Sequence, residues 1–425
     1  MFDIADQFSE TVLSNPELQN LYAPDSNQKF DVVMIETLLW PAVYALAHRF
    51  DAPLIGLCSL GNMAFNEHAL GGLVLPSHEY TWEMEANTGS NLPFWTRLTN
   101  YVRIWRYIYI TYRTLLPRQQ AIAEKYFGPS IPPMLDILKN MSVIFVDQAD
   151  ALTPARPKLA NMITFTSFHV AEKSTPLKKD LQVFLDGATK GFIYFSLGSN
   201  AMSSDLPEEV QQVFRDVFAK LPYRVLWKYE KELQNKSDNV YTAPWLPQQS
   251  VLAHPNIKLF IYQGGLQSSE ETIHFTVPVL SFPILADQDY QVARMEAVGV
   301  GKTLDIRTVT REQLDSAIRE IITDKQYKKN IIKLKELVND NPYNMVDNLV
   351  WWTEYVIRHK GAPHLRSSIA WQPWYQRGDI DVIMFLSIVA FIILSCALAV
   401  IAKCIVFAMK QQELHAASQK KQKIS

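Results

Sequence analysis

The stretch WLPQQSVLAHPNIKLFIYQGGLQSSEE, residues 245–271, decides how this chain is read. It starts in turn-like sequence at a tryptophan and continues as the apolar run IKLFIY. It then breaks into a glycine pair ahead of a polar helix start. Gly264 and Gly265 have no side chains, so their N–H groups can approach an anion, and the helix beyond them turns its positive end toward it. This predicts a phosphate cradle. One residue runs against it: Gln263, directly before the glycines, is a neutral amide where an anion site favours a cation.

Working outward, the same strand-like pattern recurs at FDVVMIE (30–36), APLIGL (52–57), SVIFVDQ (142–148), FIYFSLGS (192–199), RVLWKYE (224–230) and PVLSFPIL (278–285). Helical patterns fall between many of them, as in PEEVQQVFRDVFAKL (207–221) and REQLDSAIREIITD (311–324). Strands interleaved with helices predict an α/β chain built on parallel, doubly wound sheets. The polar segment AEKSTPLKKDLQ (171–182) carries no strand pattern and predicts a linker. The expected division is a first domain over 1–175 and a nucleotide-sugar-binding domain over 176–365. The first domain opens on what reads as a middle strand, so it is expected to be incomplete, lacking some three βα units of about 30 residues each.

In open α/β sheets, ligands bind beyond the carboxyl ends of the strands. The groups found there suit a nucleotide sugar. Ser199, in SLGS, offers a hydroxyl to phosphate. Trp245 follows the strand-like VYTAPW and can stack on a flat base. Glu271, in the first turn of the helix after the glycines, can reach sugar hydroxyls. Asp287 and Gln288, in ADQ, add an acceptor and an amide. Singly each has a bland explanation, because Gly-Gly is usually a turn, a tryptophan usually core, and Asp-Gln a helix cap. Their order and their strand-end placement together predict the site.

Composition bounds the rest. The chain has 425 residues, 48% hydrophobic and 20% charged, with a net charge of −2 that gives no footprint for nucleic acid. Cys58, Cys396 and Cys404 make no disulfide framework. Residues 382–402, VIMFLSIVAFIILSCALAVIA, are free of charge and long enough to cross a hydrocarbon core of about 30 Å. Lysines 403, 410, 420, 421 and 423 come after the run, and Asp379 and Asp381 precede it. That bias predicts a single-pass membrane protein with a juxtamembrane segment (366–381), a transmembrane helix (382–402), a lysine-rich cytosolic tail (403–425) and a lumenal body. The closing KQKIS places lysines where a dilysine ER-retrieval signal has them. The first twenty residues lack a signal-peptide pattern, so a lumenal body predicts a further upstream segment. Residues 94–118 mix seven aromatics with five arginines, and fit either a helix lying on a membrane or roofing an apolar pocket, or a packed helix with snorkelling arginines.

The long stretch WLPQQSVLAHPNIKLFIYQGGLQSSEETIHFTVPVLSFPILADQ (245–288) resembles the signature of the UDP-glycosyltransferases. That signature reads W-x-P-Q, L-x-H-P, T-H-G-G, a Glu, G-[VI]-P and D-Q-x-x-N. The likeness extends to FDVVMIE, LAHRFDAPLIGL (46–57), WWTEYVIRHKGAPHLRS (351–367) and the apolar anchor, and it is nearest to insect members, which mostly use UDP-glucose. It implies a GT-B fold of two Rossmann-like domains, the first holding the acceptor, in an ER-membrane enzyme of detoxification. It implies inverting transfer of a hexose from a UDP-sugar to small lipophilic hydroxyls. By the same resemblance Trp245 stacks the uracil, and Gln248 and Glu271 hold the uridine. Ser199, Gly264 and Gly265 take the diphosphate, Gln263, Gln267 and Ser268 also belong to the donor site, and Asp287 with Gln288 reads the hexose. Glu36 matches the acidic residue that orients a catalytic histidine, and that histidine is expected upstream of this chain. No cofactor and no metal are expected, the UDP-sugar being a co-substrate. The anchor meets membrane lipid, and a homo- or hetero-oligomer is compatible with the chain.

The chain departs from the signature at Gln263 for its histidine, Thr276 for its glycine and Gln291 for its asparagine, among others. Replacing a charge-assisted bond to phosphate by a neutral one costs on the order of 1 kcal/mol. Thr276 costs more if the glycine holds a positive φ. The alternatives are a non-catalytic, membrane-anchored relative that binds UDP or a hydrophobe or partners another chain, and a shortened chain that does not fold stably.

Overall fold

The structure of the chain, a computed structural model, describes residues 2–74, 81–83, 91–153, 156–171 and 175–422, with side chains up to 412. It forms two units, residues 1–367 and 368–425. The first unit holds two all-parallel sheets. Strands β1 (Val33–Glu36), β2 (Leu54–Cys58), β3 (Val143–Asp147) and β4 (Met162–Phe165) lie in the order β1-β2-β3-β4. Strands β5 (Phe192–Ser196), β6 (Arg224–Lys228), β7 (Val240–Ala243), β8 (Ile257–Tyr262), β9 (Val279–Ser281) and β10 (Gly301–Thr303) lie in the order β10-β9-β8-β5-β6-β7. This is the doubly wound arrangement, and its order reverses between β8 and β5.

The sequence dictates which strands lie at the centre. FIYFS in β5 and LFIY in β8 are buried at every position, the continuous apolar run of a strand covered on both faces. Alternate residues serve two cores. Ile193, Phe195 and Trp227 join Phe214 and Phe218 on one face, while Phe192, Tyr194, Phe260 and Tyr262 pack on the other. Strands β4 and β10 carry little pattern of their own, MITF and GKT, and owe their conformation to pairing with β3 and β9. The polar segment 171–182 does not remain a linker throughout, because a helix over Lys179–Asp186 starts inside it.

Helices cover the first unit and shape its crevices. Helix α1 (Phe2–Leu13) is clasped to α3 (Leu116–Phe127) by Ser9 Oγ donating to Gln119 Oε1 (2.8 Å) and Gln119 Nε2 donating to Asp6 (2.8 Å). Between them, α2 (Phe94–Ile110) runs through a π-helical turn into α3. Helix α2 buries Asn100, Ile104 and Ile108 and leaves Phe94, Trp95, Leu98, Tyr101, Val102 and Tyr109 exposed. The buried face is that of the packed helix expected as one alternative. Helices α4 (Gln248–Leu252), α5 (Leu266–Phe275) and α6 (Gln288–Ala297) come after β7, β8 and β9. Helix α7 (Met345–Arg358) lies late in the chain yet packs Val356, Leu349 and Trp352 on Ile55, Val143 and Phe145 of the first sheet.

The second unit is dominated by α8 (Ile380–Gln422). Its residues 380–412 contain an 18-residue window of mean hydropathy 2.9 and make the one span long and apolar enough to cross a membrane among the described residues. The helix runs on to Gln422, where the polar sequence predicts disorder.

Candidate active site

SLGS leaves the end of β5 and YQGG leaves the end of β8, and these strands are neighbours in register, with Ser196 opposite Tyr262. Both loops therefore emerge side by side where the strand order reverses, the place such sheets use for ligands. Gly264 has φ +92°, and a Cβ there would collide with Val292 Cγ1, so only glycine fits. Gly265 caps α5 without a side-chain hydrogen bond, leaving the first N–H groups of the helix to an anion.

Gln263 answers the question its sequence poses. It is buried, and its amide nitrogen fills the space where a Cβ on Gly198 would stand and lies 3.4 Å from that of Gly265. The side chain occupies the gap between the two loops. A buried cation is nonetheless close by. Lys228, at the end of β6, donates to the Gly198 carbonyl (2.9 Å) and to Glu230 (2.8 Å). Its ammonium stands 5.6 Å from the Trp245 ring centroid.

Trp245 is 71% exposed, an unusual state for an indole and one that leaves a face free for stacking. Ser199 is exposed on the β5 loop. Gln248 opens α4, donates to Ser268 Oγ (2.9 Å) and Glu271 Oε2 (2.7 Å), and accepts from the Tyr194 hydroxyl (3.3 Å). Gln249 holds Glu271 Oε1 (3.0 Å). Burial pushes the Glu271 carboxyl up, but the bonds from His169, Gln248 and Gln249 outweigh it and leave it below the ordinary range. The group is ionised and oriented. Asp287 is buried and accepts from Gln291 (3.2 Å), and burial pushes it up to about 6. Gln288 turns its carbonyl back on the N–H groups of Ile284 (2.8 Å) and Leu285 (3.0 Å), fixing the loop before α6.

A family model described as UDP-glucoronosyl and UDP-glucosyl transferase matches residues 1–413. The chain is a UDP-glycosyltransferase. It is 34% identical to "UDP-glycosyltransferase UGT5" of Dactylopius coccus over 385 residues, which are 88% of this chain and 71% of that protein. It is 32% identical to "UDP-glucuronosyltransferase 1A3" of Homo sapiens, over 77% of this chain and 61% of that one. Among solved structures, "Spinosyn Forosaminyltransferase SpnP" superposes with a TM-score of 0.58 at 14% identity, over 84% of this chain and 83% of that one. A second, "Crystal Structure Analysis of the Glycotransferase of kitacinnamycin", gives 0.57 at 19%, over 83% and 82%. At such identities these two show the shared GT-B fold.

In this UDP-glycosyltransferase the remaining expected residues lie at the seam between the sheets. Gln267 does not face the glycine loop alone, for its Nε2 donates across the seam to the Ser59 carbonyl (2.8 Å). Ser59 in turn donates its N–H (3.0 Å) and its hydroxyl (2.9 Å) to Glu36 Oε1. One expected donor residue and the expected catalytic carboxylate are thus joined through Ser59. Among the described residues, no hydrogen bond or ion pair links a histidine to Glu36. Beside these contacts is a buried carboxyl pair that the sequence does not announce. Asp147, at the end of β3, is pushed well above the carboxylate range by burial and by the charge of Glu270, which itself accepts from Thr166. Lys228 and Asp147 sit at strand ends in WKYE and FVDQ, the same signal that locates Ser199. Ser59, just after β2, shares it, whereas Glu270, inside α5, carries no such mark.

Proposed function

We propose that this UDP-glycosyltransferase transfers a hexose, glucose in the first instance, from a UDP-sugar to small lipophilic hydroxyl acceptors, with inversion. The observation that supports the reading is the placement of Ser199, Trp245 and the Gly264–Gly265 pair just beyond the carboxyl ends of β5, β7 and β8 of one parallel sheet, with Glu271 braced by Gln248 on the helix that follows. A base stacks on Trp245, the ribose meets Gln248 and Glu271, and the diphosphate lies against Ser199, the glycine pair and Gln263. The hexose then extends toward Asp287 and Gln288. Relatives named glucosyltransferases, such as "UDP-glucosyltransferase 2" of Dactylopius coccus (32% identical), support glucose as the sugar.

The acceptor oxygen bonds to the anomeric carbon while the bond from that carbon to the diphosphate oxygen breaks. UDP leaves with the electron pair, and the acceptor's proton passes to a base that Glu36 orients. A cavity of about 370 Å³ lies between the ends of β2 and β3 and helices α5 and α6, walled by Trp82, Leu152, Leu266, Ile273 and Met295. It adjoins Gln291, the partner of Asp287, and its size and apolar walls suit a small lipophilic acceptor. No cofactor is invoked. Helix α8 anchors the enzyme in the ER membrane, with the lysine flank in the cytosol.

The test is calorimetry with UDP and UDP-glucose, and then product analysis with UDP-glucose and a panel of phenols. Binding with glucoside formation supports the reading; binding without transfer supports the non-catalytic relative; no binding overturns both. Protease digestion of sealed microsomes checks the orientation, with loss of the body while a C-terminal tag stays protected as the contrary result.

A further inference from the structure

The turn that leaves β4 carries a histidine that the donor site does not explain. His169 Nδ1 lies 3.5 Å from Glu270 Oε2, and its Nε2 lies 3.5 Å from Glu271 Oε1. The ring therefore stands between two carboxylates that are consecutive on α5 and only 2% and 7% exposed. Among the described residues no other cation pairs with either carboxylate. The turn itself is locked from α4. Gln249 donates to the His169 carbonyl (3.3 Å) with the same amide that holds Glu271, and its Oε1 accepts from the Ala171 N–H (3.0 Å).

Consecutive helical side chains diverge by roughly 100°, so a single ammonium reaches only one of them at close range. An imidazolium carries a donor on each side and spans both. Without it, two like charges would share a dry site, and one would take up a proton or turn away.

We infer that His169 is a positioning residue for donor binding, holding the Glu271 carboxylate ionised and turned toward the ribose. The inference rests on the reading of Glu271 as the ribose-binding group. The electrostatics agree with it. Burial alone would lower the histidine, but the bond to Glu271 and the charges of Glu270 and Glu271 outweigh burial and raise it. The carboxyl groups facing the ring are Glu270 and Glu271 on α5; Asp147 on β3 reaches it only through Glu270, and burial of that pair shifts both Asp147 and Glu270 upward. The histidine is thus held charged to higher pH than an ordinary imidazole, and loss of its charge as pH rises releases Glu271.

The experiment is calorimetry of UDP-glucose on the full chain between pH 6.5 and 9, above the value of about 6 held by Asp287. UDP-glucose has no terminal phosphate to titrate in that window. Wild type is expected to lose about 10-fold in affinity as pH rises. His169→Gln is expected to bind about 10-fold more weakly at pH 6.5 with a flat profile, to raise the KM for UDP-glucose and leave the acceptor KM unchanged. Adding Glu270→Gln, which removes the like charge, restores most of the loss. If His169→Gln matches wild type in affinity and profile, the inference is wrong and the donor site stands. If wild type does not bind UDP-glucose at all, the donor site falls and the inference with it. Should His169→Gln fail to fold, Glu271→Gln serves instead, and a pH slope retained in that variant overturns the inference.

Discussion

The two parallel sheets are made alike and end differently. In the first, β1 to β4 succeed one another in order, and their carboxyl ends carry Glu36, Ser59, Asp147 and Thr166. Three of these groups are engaged with α5: Ser59 accepts from Gln267, Asp147 pairs with Glu270, and Thr166 donates to Glu270. In the second sheet the order doubles back at β5 and β8, the adjoining connections leave in opposite directions, and a crevice opens between them. Ser199, after β5, and Trp245, after β7, remain exposed. One strand end holds the molecule together, and the other is left for a ligand. The same residue types serve either purpose, and strand order decides which.

The largest effect that would break this contrast is expected from Gly264→Ala. A positive φ and the collision with Val292 together cost about 3 kcal/mol or more, so UDP-glucose affinity should fall at least ~100-fold. Thermal unfolding run alongside should show the first sheet intact, and unaltered binding would mean that the cradle lies elsewhere. Glu36→Ala tests the other sheet. Product formation should fall roughly 100-fold while UDP-glucose affinity stays within about twofold, since among the described residues the Glu36 carboxylate hydrogen-bonds only to Ser59. Equal losses in both would dissolve the division of labour.

Trp245→Ala should weaken UDP binding by about 1–3 kcal/mol if the exposed indole stacks on the base. Asp147→Asn sharpens the view of the seam through pH. The folded pKa of Asp147 is raised, so its contribution to stability is full below the unfolded value near 4 and is lost as pH rises. The variant lacks that loss. Its melting temperature should equal that of wild type near pH 4 and exceed it by about 2–4 °C at pH 8. The smallest effect belongs to Thr276, which holds φ +56° at the end of α5 and is steadied by Lys328 on its hydroxyl (2.8 Å). Thr276→Gly should gain about 0.5–1 kcal/mol, read by denaturant unfolding.

How far these features are legible depends on the distance over which each is encoded. The α/β class, the cradle and Trp245 rest on residues adjacent in sequence, where a strand run, a glycine pair and a helix start are read together. The positive φ at Thr276 is likewise legible from a single departure. The partners are not. Gln267 and Ser59 are 208 residues apart, Thr166 and Glu270 are 104 apart, and both contacts depend on how the two sheets meet. Strand order, which locates the crevice, is also a long-range property. The return of α7 to the first sheet cannot be read from a pattern that says only that the helix is amphipathic.

The outer face of α2 has a practical consequence for anyone handling the protein. Phe94, Trp95, Leu98, Tyr101, Val102 and Tyr109 form an apolar stripe on the body itself. Removing residues 380–425 would take away the anchor but not this surface, and a contiguous patch of large side chains drives self-association in plain buffer. The trimmed body should therefore still need detergent to stay monodisperse, and Trp95→Glu with Val102→Glu should relieve that need without touching the buried face of Ile104 and Ile108.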